Sequence, residues 1–161
     1  MMKKTDALVK LIESEINDKD VLEVACGGAE FSASASRLAR CVHCIDLDAS
    51  RLGDLSSLEN VHFSIMDATK MDFPDCRFDT VVLYNAFFHV QTQWNRIEEE
   101  CNRVLKTGGC LIVVGTWSLD TAPMKDVFGD QARMEKGFLI VKKQKPDYGF
   151  RRGNHHEANN E

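Results

Sequence analysis

Val21-Leu22-Glu23-Val24-Ala25-Cys26-Gly27-Gly28-Ala29 decides the reading of this chain. Residues 21–25 are mostly apolar and fit a buried strand. Cys26-Gly27-Gly28 makes a turn, and Phe31, Ala35, Leu38 and Ala39 then restart a helical period. Strand, tight turn and helix in that order open a β-α-β unit. The alternation continues outward, with strands over 41–46, 61–66, 78–85, 110–115 and 137–143 and helices over 49–58, 92–106 and 121–128. Upstream, Ala7, Leu8, Leu11, Ile12 and Ile16 predict an amphipathic helix over 5–17. Lys106-Thr107-Gly108-Gly109 closes the 92–106 helix, with glycine suited to a left-handed C-terminal cap. Strands this apolar suit a parallel sheet covered on both faces. The expected fold is α/β: a single doubly wound Rossmann-like domain over 1–146, mostly parallel, with helices on both faces. Residues 147–161 are polar, without period, and read as a C-terminal tail.

Composition agrees with one domain. The chain has 161 residues, 43% of them hydrophobic and 28% charged, which excludes disordered and low-complexity classes. No apolar run approaches the ~18 residues of a membrane span, and the N-terminus lacks an apolar signal stretch. Net charge is −5, against a general nucleic-acid binder. A basic cluster near the end (Arg133, Lys136, Lys142, Lys143, Lys145, Arg151, Arg152) reads as a solvated face. Six cysteines without a secretory signal read as reduced thiols, so a cytoplasmic setting is expected. Cys41-Val42-His43-Cys44 has a C-x-x-C spacing but lies in a strand, where its thiols would face opposite sides. No metal site is expected: His62 lies within a strand, and His155-His156-Glu157 is a short run in the tail.

In such a sheet, ligands bind beyond the carboxyl ends of the strands, beside the first. The candidate groups there are Glu23 to Ala29, then Asp46-Leu47-Asp48, then Asp67-Ala68, then Tyr84 to His89. Two ligand classes compete. A dinucleotide needs G-x-G-x-x-G, but Ala25 and Glu30 replace the first and third glycines. Glu23 and Glu30 also bracket the place a pyrophosphate would occupy. Like charges 4 Å apart repel by about 4 kcal/mol at an effective dielectric near 20. These acids suit instead a ligand with an amino group, a sulfonium and a ribose.

Taken together, the segments resemble the class I S-adenosylmethionine-dependent methyltransferases. Residues 21–29 are similar to that family's acid-x-G-x-G-x-G motif. The acid after the second strand, Asp67-Ala68, Phe78-Asp79-Thr80-Val81-Val82 and Val104-Leu105-Lys106-Thr107-Gly108-Gly109 follow in order. Ala25 and Ala29 stand where glycine is commoner, and Thr107 where proline is. The resemblance implies S-adenosylmethionine as cofactor. It would place Glu23 near the amino-acid moiety and the backbone of Ala25, Cys26 and Gly27 along the methionine part. Asp46 would accept from the ribose hydroxyls, Leu47 would pack on adenine, and Asp67 and Ala68 would bond its edge. Asn85 would line the opening near the methyl group. Of Phe31, Tyr84, Phe87, Phe88 and Trp117, one or two would face the sulfonium.

Methyl transfer from a sulfonium is an in-line displacement, for which positioning supplies roughly 7–11 kcal/mol. Asn85 and His89 are the candidate catalytic residues, His89 as base if the acceptor must lose a proton. The sequence names no acceptor, which could be a small molecule or a macromolecular side chain. Thr116 to Lys136 is short, so the family's terminal hairpin is expected to be trimmed and the pocket open. Such a pocket suits a bulky acceptor, or completion by a second subunit, as a homodimer or with another partner. The alternatives are a non-catalytic S-adenosylmethionine-binding or partner-activating module and, less well matched, a nucleotide-binding oxidoreductase.

Overall fold

A computed structural model describes residues 2–146. In chain order it contains α1 (Lys4–Leu11), α2 (Glu13–Ile16), β1 (Asp20–Val24), α3 (Glu30–Ala35), β2 (Cys41–Asp46), β3 (Val61–Ile65) and β4 (Phe78–Tyr84). There follow α4 (Phe87–Val90), α5 (Trp94–Val104), β5 (Leu105–Gly115), α6 (Ser118–Phe128), β6 (Arg133–Glu135) and β7 (Phe138–Gln144). The strands form one sheet in the order β3-β2-β1-β4-β5-β7-β6. The first five pair in parallel, and β7 runs antiparallel to β5 and β6. The chain winds outward from β1 to β3 and then crosses back to β4, so the ends of β1 and β4 flank the switch point.

The strands are buried on both faces because their residues alternate between two cores. Leu22, Val81, Leu83, Leu111 and Val113 join one core, which α4, α5 and α6 cover with Phe87, Trp94, Ile97 and Met124. Val21, Val42, Val82, Ile112 and Val114 join the other, under Leu8, Ile12 and Phe31 from the α1–α3 side. Cys44 faces that second core, while Cys41 lies three residues back along β2 and so on the opposite side.

Several expectations need correction. No helix forms over 49–58. Asp48 accepts from the amide and hydroxyl of Ser50, and Asp54 does the same for Ser56. These local turns take the backbone away from a helical ladder. Leu52, Leu55 and Leu58 still pack on the core, which is why their spacing imitates a helix. The 5–17 helix breaks at Ile12 into α1 and α2. The helix expected to end at 106 stops at Val104, and Gly108-Gly109 is no helix cap. It belongs to an excursion in β5, where the ladder skips from Leu105 to Cys110. A Cβ on Gly109 would lie 2.8 Å from the Asp79 carbonyl oxygen. The terminal hairpin is present, although β6 is only three residues long. Lys136 and Gly137 both have positive φ, as a two-residue hairpin turn demands. Of the basic cluster, Lys142 and Lys143 pair with Glu15 and Glu98, and Lys145 donates to the Leu105 carbonyl. The tail, with Arg151, Arg152 and His155-His156-Glu157, lies outside the described residues.

Candidate active site

The carboxyl ends of β1, β2, β4 and β5 open into a cleft of about 560 Å³, a volume suited to a small ligand. The loop after β1 forms its floor. Ala25, Gly27 and Ala29 have φ of 55°, 53° and 62°. Left-handed alanine costs roughly 1–2 kcal/mol, so packing must hold the loop in shape. The Ala29 methyl does not crowd the cleft, since that residue is fully buried in the α1–α3 core. Ala25, Cys26, Gly27 and Gly28 line the cleft.

Glu23 is the penultimate residue of β1, at 1% exposure. Its Oε1 accepts from the Ser32 amide (3.1 Å) and hydroxyl (2.7 Å) of α3. Oε2 receives no hydrogen bond from the described residues, and Glu23 lines the cleft. Burial pushes its carboxyl up to about 8, against the opposing pull of the Ser32 bonds. At neutral pH it is therefore mostly neutral until a cation arrives. Asp46, at the end of β2, accepts from the Gly27 amide at 2.8 Å. This bond ties the end of β2 to the loop that follows β1. Glu30 also lines the cleft.

The residues expected at the adenine end do not join this enclosure. Leu47 is 70% exposed. Asp67 is exposed and accepts twice from Thr69, which holds its carboxyl below the usual range. Ala68 packs against the helical core of the α5 side. None of the three lines the cleft.

On the β4–β5 side, Asn85 and His89 both line the cleft. Asn85 has φ of 50°, and its amide is engaged: Nδ2 donates to Thr116 Oγ1 (2.9 Å) while Oδ1 accepts from the Thr116 amide (2.8 Å). This side chain ties the end of β4 to the end of β5. His89 is exposed on α4, with its ring edge-on to Phe88. Phe31, Tyr84 and Trp117 line the cleft; Phe87 instead packs against Trp94 and Phe128.

Sequence reasoning missed Lys4, Arg51, Leu119 and Asp120, all of which line the cleft. Arg51 reaches it because the non-helical 49–58 segment folds back, with Gly53 donating to the Gly28 carbonyl. Its guanidinium lies over Gly27, where an added Cβ would sit 3.7 Å away. Gly115 was the readable signal for Asp120. A Cβ there would clash with Met124 at 2.8 Å and approach Asp120 at 3.2 Å, so glycine lets α6 close onto the strand end.

The lining holds four carboxylic acids, Glu23, Glu30, Asp46 and Asp120, against Lys4 and Arg51. A buried glutamic acid with a free oxygen fits a ligand bearing an ammonium group and disfavours a pyrophosphate.

A family model described as a methyltransferase domain matches residues 21–109. A phosphatidylethanolamine N-methyltransferase of Cereibacter sphaeroides is 39% identical over 72 residues, covering 44% of this chain and 34% of that protein. The chain thus spans about a third of the curated relative it matches. Among solved structures, the [4+2]-cyclase SpnF superposes with a TM-score of 0.61 at 26% identity, over 68% of this chain and 44% of that one. The N-methyltransferase NodS from Bradyrhizobium japonicum WM9 gives 0.66 at 13% identity, over 89% and 95%, which shows the shared fold.

Proposed function

The chain belongs to the methyltransferase-domain family, and from that premise we propose that it transfers a methyl group from S-adenosylmethionine to an acceptor held over the ends of β4 and β5. The observation that carries this reading is the acid-lined cleft, in which a buried Glu23 keeps Oε2 for a cation. Bound there, S-adenosylmethionine supplies a methyl group on a positively charged sulfur. Glu23 would hold the ammonium end, and the backbone of Ala25, Cys26 and Gly27 would follow the amino-acid chain. Asp46 keeps Oδ2 on the Gly27 amide and would offer its other oxygen to ribose hydroxyls. Leu47, Asp67 and Ala68 would meet the adenine from outside the enclosure. Asn85 sets the spacing of β4 and β5 through Thr116, and so fixes the wall against which the acceptor is aimed. His89, exposed on that wall, would take a proton from an acceptor that must lose one. A cytoplasmic setting belongs to this reading, supported by six cysteines none of which is paired.

Calorimetry with S-adenosylmethionine and S-adenosylhomocysteine tests the proposal. Binding of both is expected, and failure of both at millimolar concentration would sink it. A second reading, a binding module without turnover, is favoured by one observation: Thr116 engages the Asn85 amide at both Nδ2 and Oδ1. Formation of S-adenosylhomocysteine over a panel of acceptors decides between them. Light scattering with and without cofactor shows whether a second copy completes the open pocket.

A further inference from the structure

The cofactor reading leaves two carboxylates of the cleft lining unused, Glu30, which is exposed, and Asp120, which is buried. Asp120 lies in the first turn of α6 at 5% exposure and lines the cleft on the β4–β5 side. Its Oδ1 accepts from the Phe88 amide of α4 at 2.9 Å. Its Oδ2 receives no hydrogen bond from the described residues and is not sealed from the cleft. Lys4 and Arg51 line the same cleft, but neither forms an ion pair with it among those residues. Trp117 (64% exposed) and Leu119 (52% exposed) also line the cleft and shortly precede Asp120 in sequence.

We infer that Asp120 is the acceptor-binding residue and that the acceptor is an amine on an apolar body. The inference rests on the methyl-transfer reading above. The ammonium would sit against Oδ2, and its apolar portion would cover the indole of Trp117 and the side chain of Leu119. Four neighbouring strands carry cation sites of different use: β2 and β1 carry Asp46 and Glu23, while β4 and β5 lead to His89 and Asp120. Three strand spacings from β2 to β5 amount to roughly 14 Å, room for donor and acceptor side by side. The bound ammonium first gives one proton to the His89 imidazole. The freed nitrogen lone pair then forms the N–C bond as the C–S bond breaks, its electron pair staying on sulfur. The product is an N-methylammonium, whose positive charge again faces the Asp120 carboxylate. An alcohol acceptor gains nothing comparable from a carboxylate at this place.

The test uses 2-phenylethylamine and its matched alcohol, 2-phenylethanol, titrated calorimetrically into the wild type and Asp120→Asn, with and without S-adenosylhomocysteine. Asparagine keeps an oxygen for the Phe88 amide and removes the charge. The amine should bind the wild type at millimolar concentration and lose on the order of 10- to 100-fold in affinity in Asp120→Asn. The alcohol should bind more weakly and equally to both proteins, and S-adenosylhomocysteine affinity and melting temperature should not change. No binding of the amine by the wild type, or equal amine binding by both proteins, overturns the inference. So does an alcohol that binds as well as the amine. A melting temperature that falls together with amine affinity reduces Asp120 to a brace for α4 and also overturns it. Absence of S-adenosylhomocysteine binding by the wild type strikes the methyl-transfer reading instead, and the ligand-free arm still reports on Asp120.

Discussion

Glu23→Gln separates the charge of the buried carboxyl from its shape. Burial raises this carboxyl from 4.5 to about 8. The unfolded chain ionises at the lower value, so between the two the folded protein holds one extra proton. The group's contribution to stability is therefore full below pH 4.5 and is lost as the pH rises through about 8. The gap from 4.5 to about 8 corresponds to about 5 kcal/mol once the carboxylate is fully charged. That is comparable with the whole stability of an ordinary domain. Glutamine keeps an oxygen for both Ser32 donors and does not titrate. Urea denaturation of both proteins should give similar stabilities at about pH 5, and a glutamine variant more stable by several kcal/mol at about pH 9. Curves that stay parallel across this range would refute the reasoning. The same proton reports on the ligand. A cation arriving beside Oε2 at neutral pH should expel it, and calorimetry of S-adenosylhomocysteine in buffers of different ionisation enthalpy counts that release. The glutamine variant should release none from this position.

Asp46→Ala removes the acceptor of the Gly27 amide and should weaken S-adenosylhomocysteine binding by about 1.5–3 kcal/mol for each charged bond lost, read by calorimetry. Unchanged affinity takes Asp46 out of the site. Asn85→Ala and Thr116→Val should each lower stability, and the double variant by less than their sum, with a coupling of about 1 kcal/mol in a denaturation cycle; additive effects would disprove the bridge. Burial, then Arg77 and His62, depress the His43 imidazole below 6.5. Its stabilising contribution is thus present above pH 6.5 and lost as the pH falls through the folded value, so thermal unfolding should ease on acidification. His43→Phe should flatten that acid limb.

The strands were legible because both cores draw on them. Alternate residues such as Val21 and Leu22, or Val81 and Val82, enter opposite cores, so each strand is apolar throughout. Glu23 and Asp46 were legible for a similar reason, since an acid closing such a run needs a partner. The 49–58 segment misled because its leucines keep core spacing while Asp48 and Asp54 pull the backbone into turns. Arg51 was hidden with it: nothing local says that the segment returns to Gly27. Gly108-Gly109 looked like a helix stop, yet the need for glycine comes from Asp79, a residue of the neighbouring strand. The short β6 has three exposed residues, and only its pairing with β7 marks it as a strand. Asp120 illustrates the same limit, because its neighbours in the cleft come from distant parts of the chain.

The Asn85–Thr116 bridge carries a consequence for how such a protein can change. It anchors two strand ends just before the chain departs into α4 and α6. Segments beyond the anchor can be exchanged while the floor beneath them keeps its dimensions. They cannot be exchanged singly, however, since Asp120 of one holds the Phe88 amide of the other. A grafted α6 start needs its own acceptor for that amide, or α4 must be replaced with it. Diversification of acceptor choice on this scaffold should therefore proceed in matched pairs of segments, and a library built on 86–90 and 117–121 together should yield more folded members than one built on either alone.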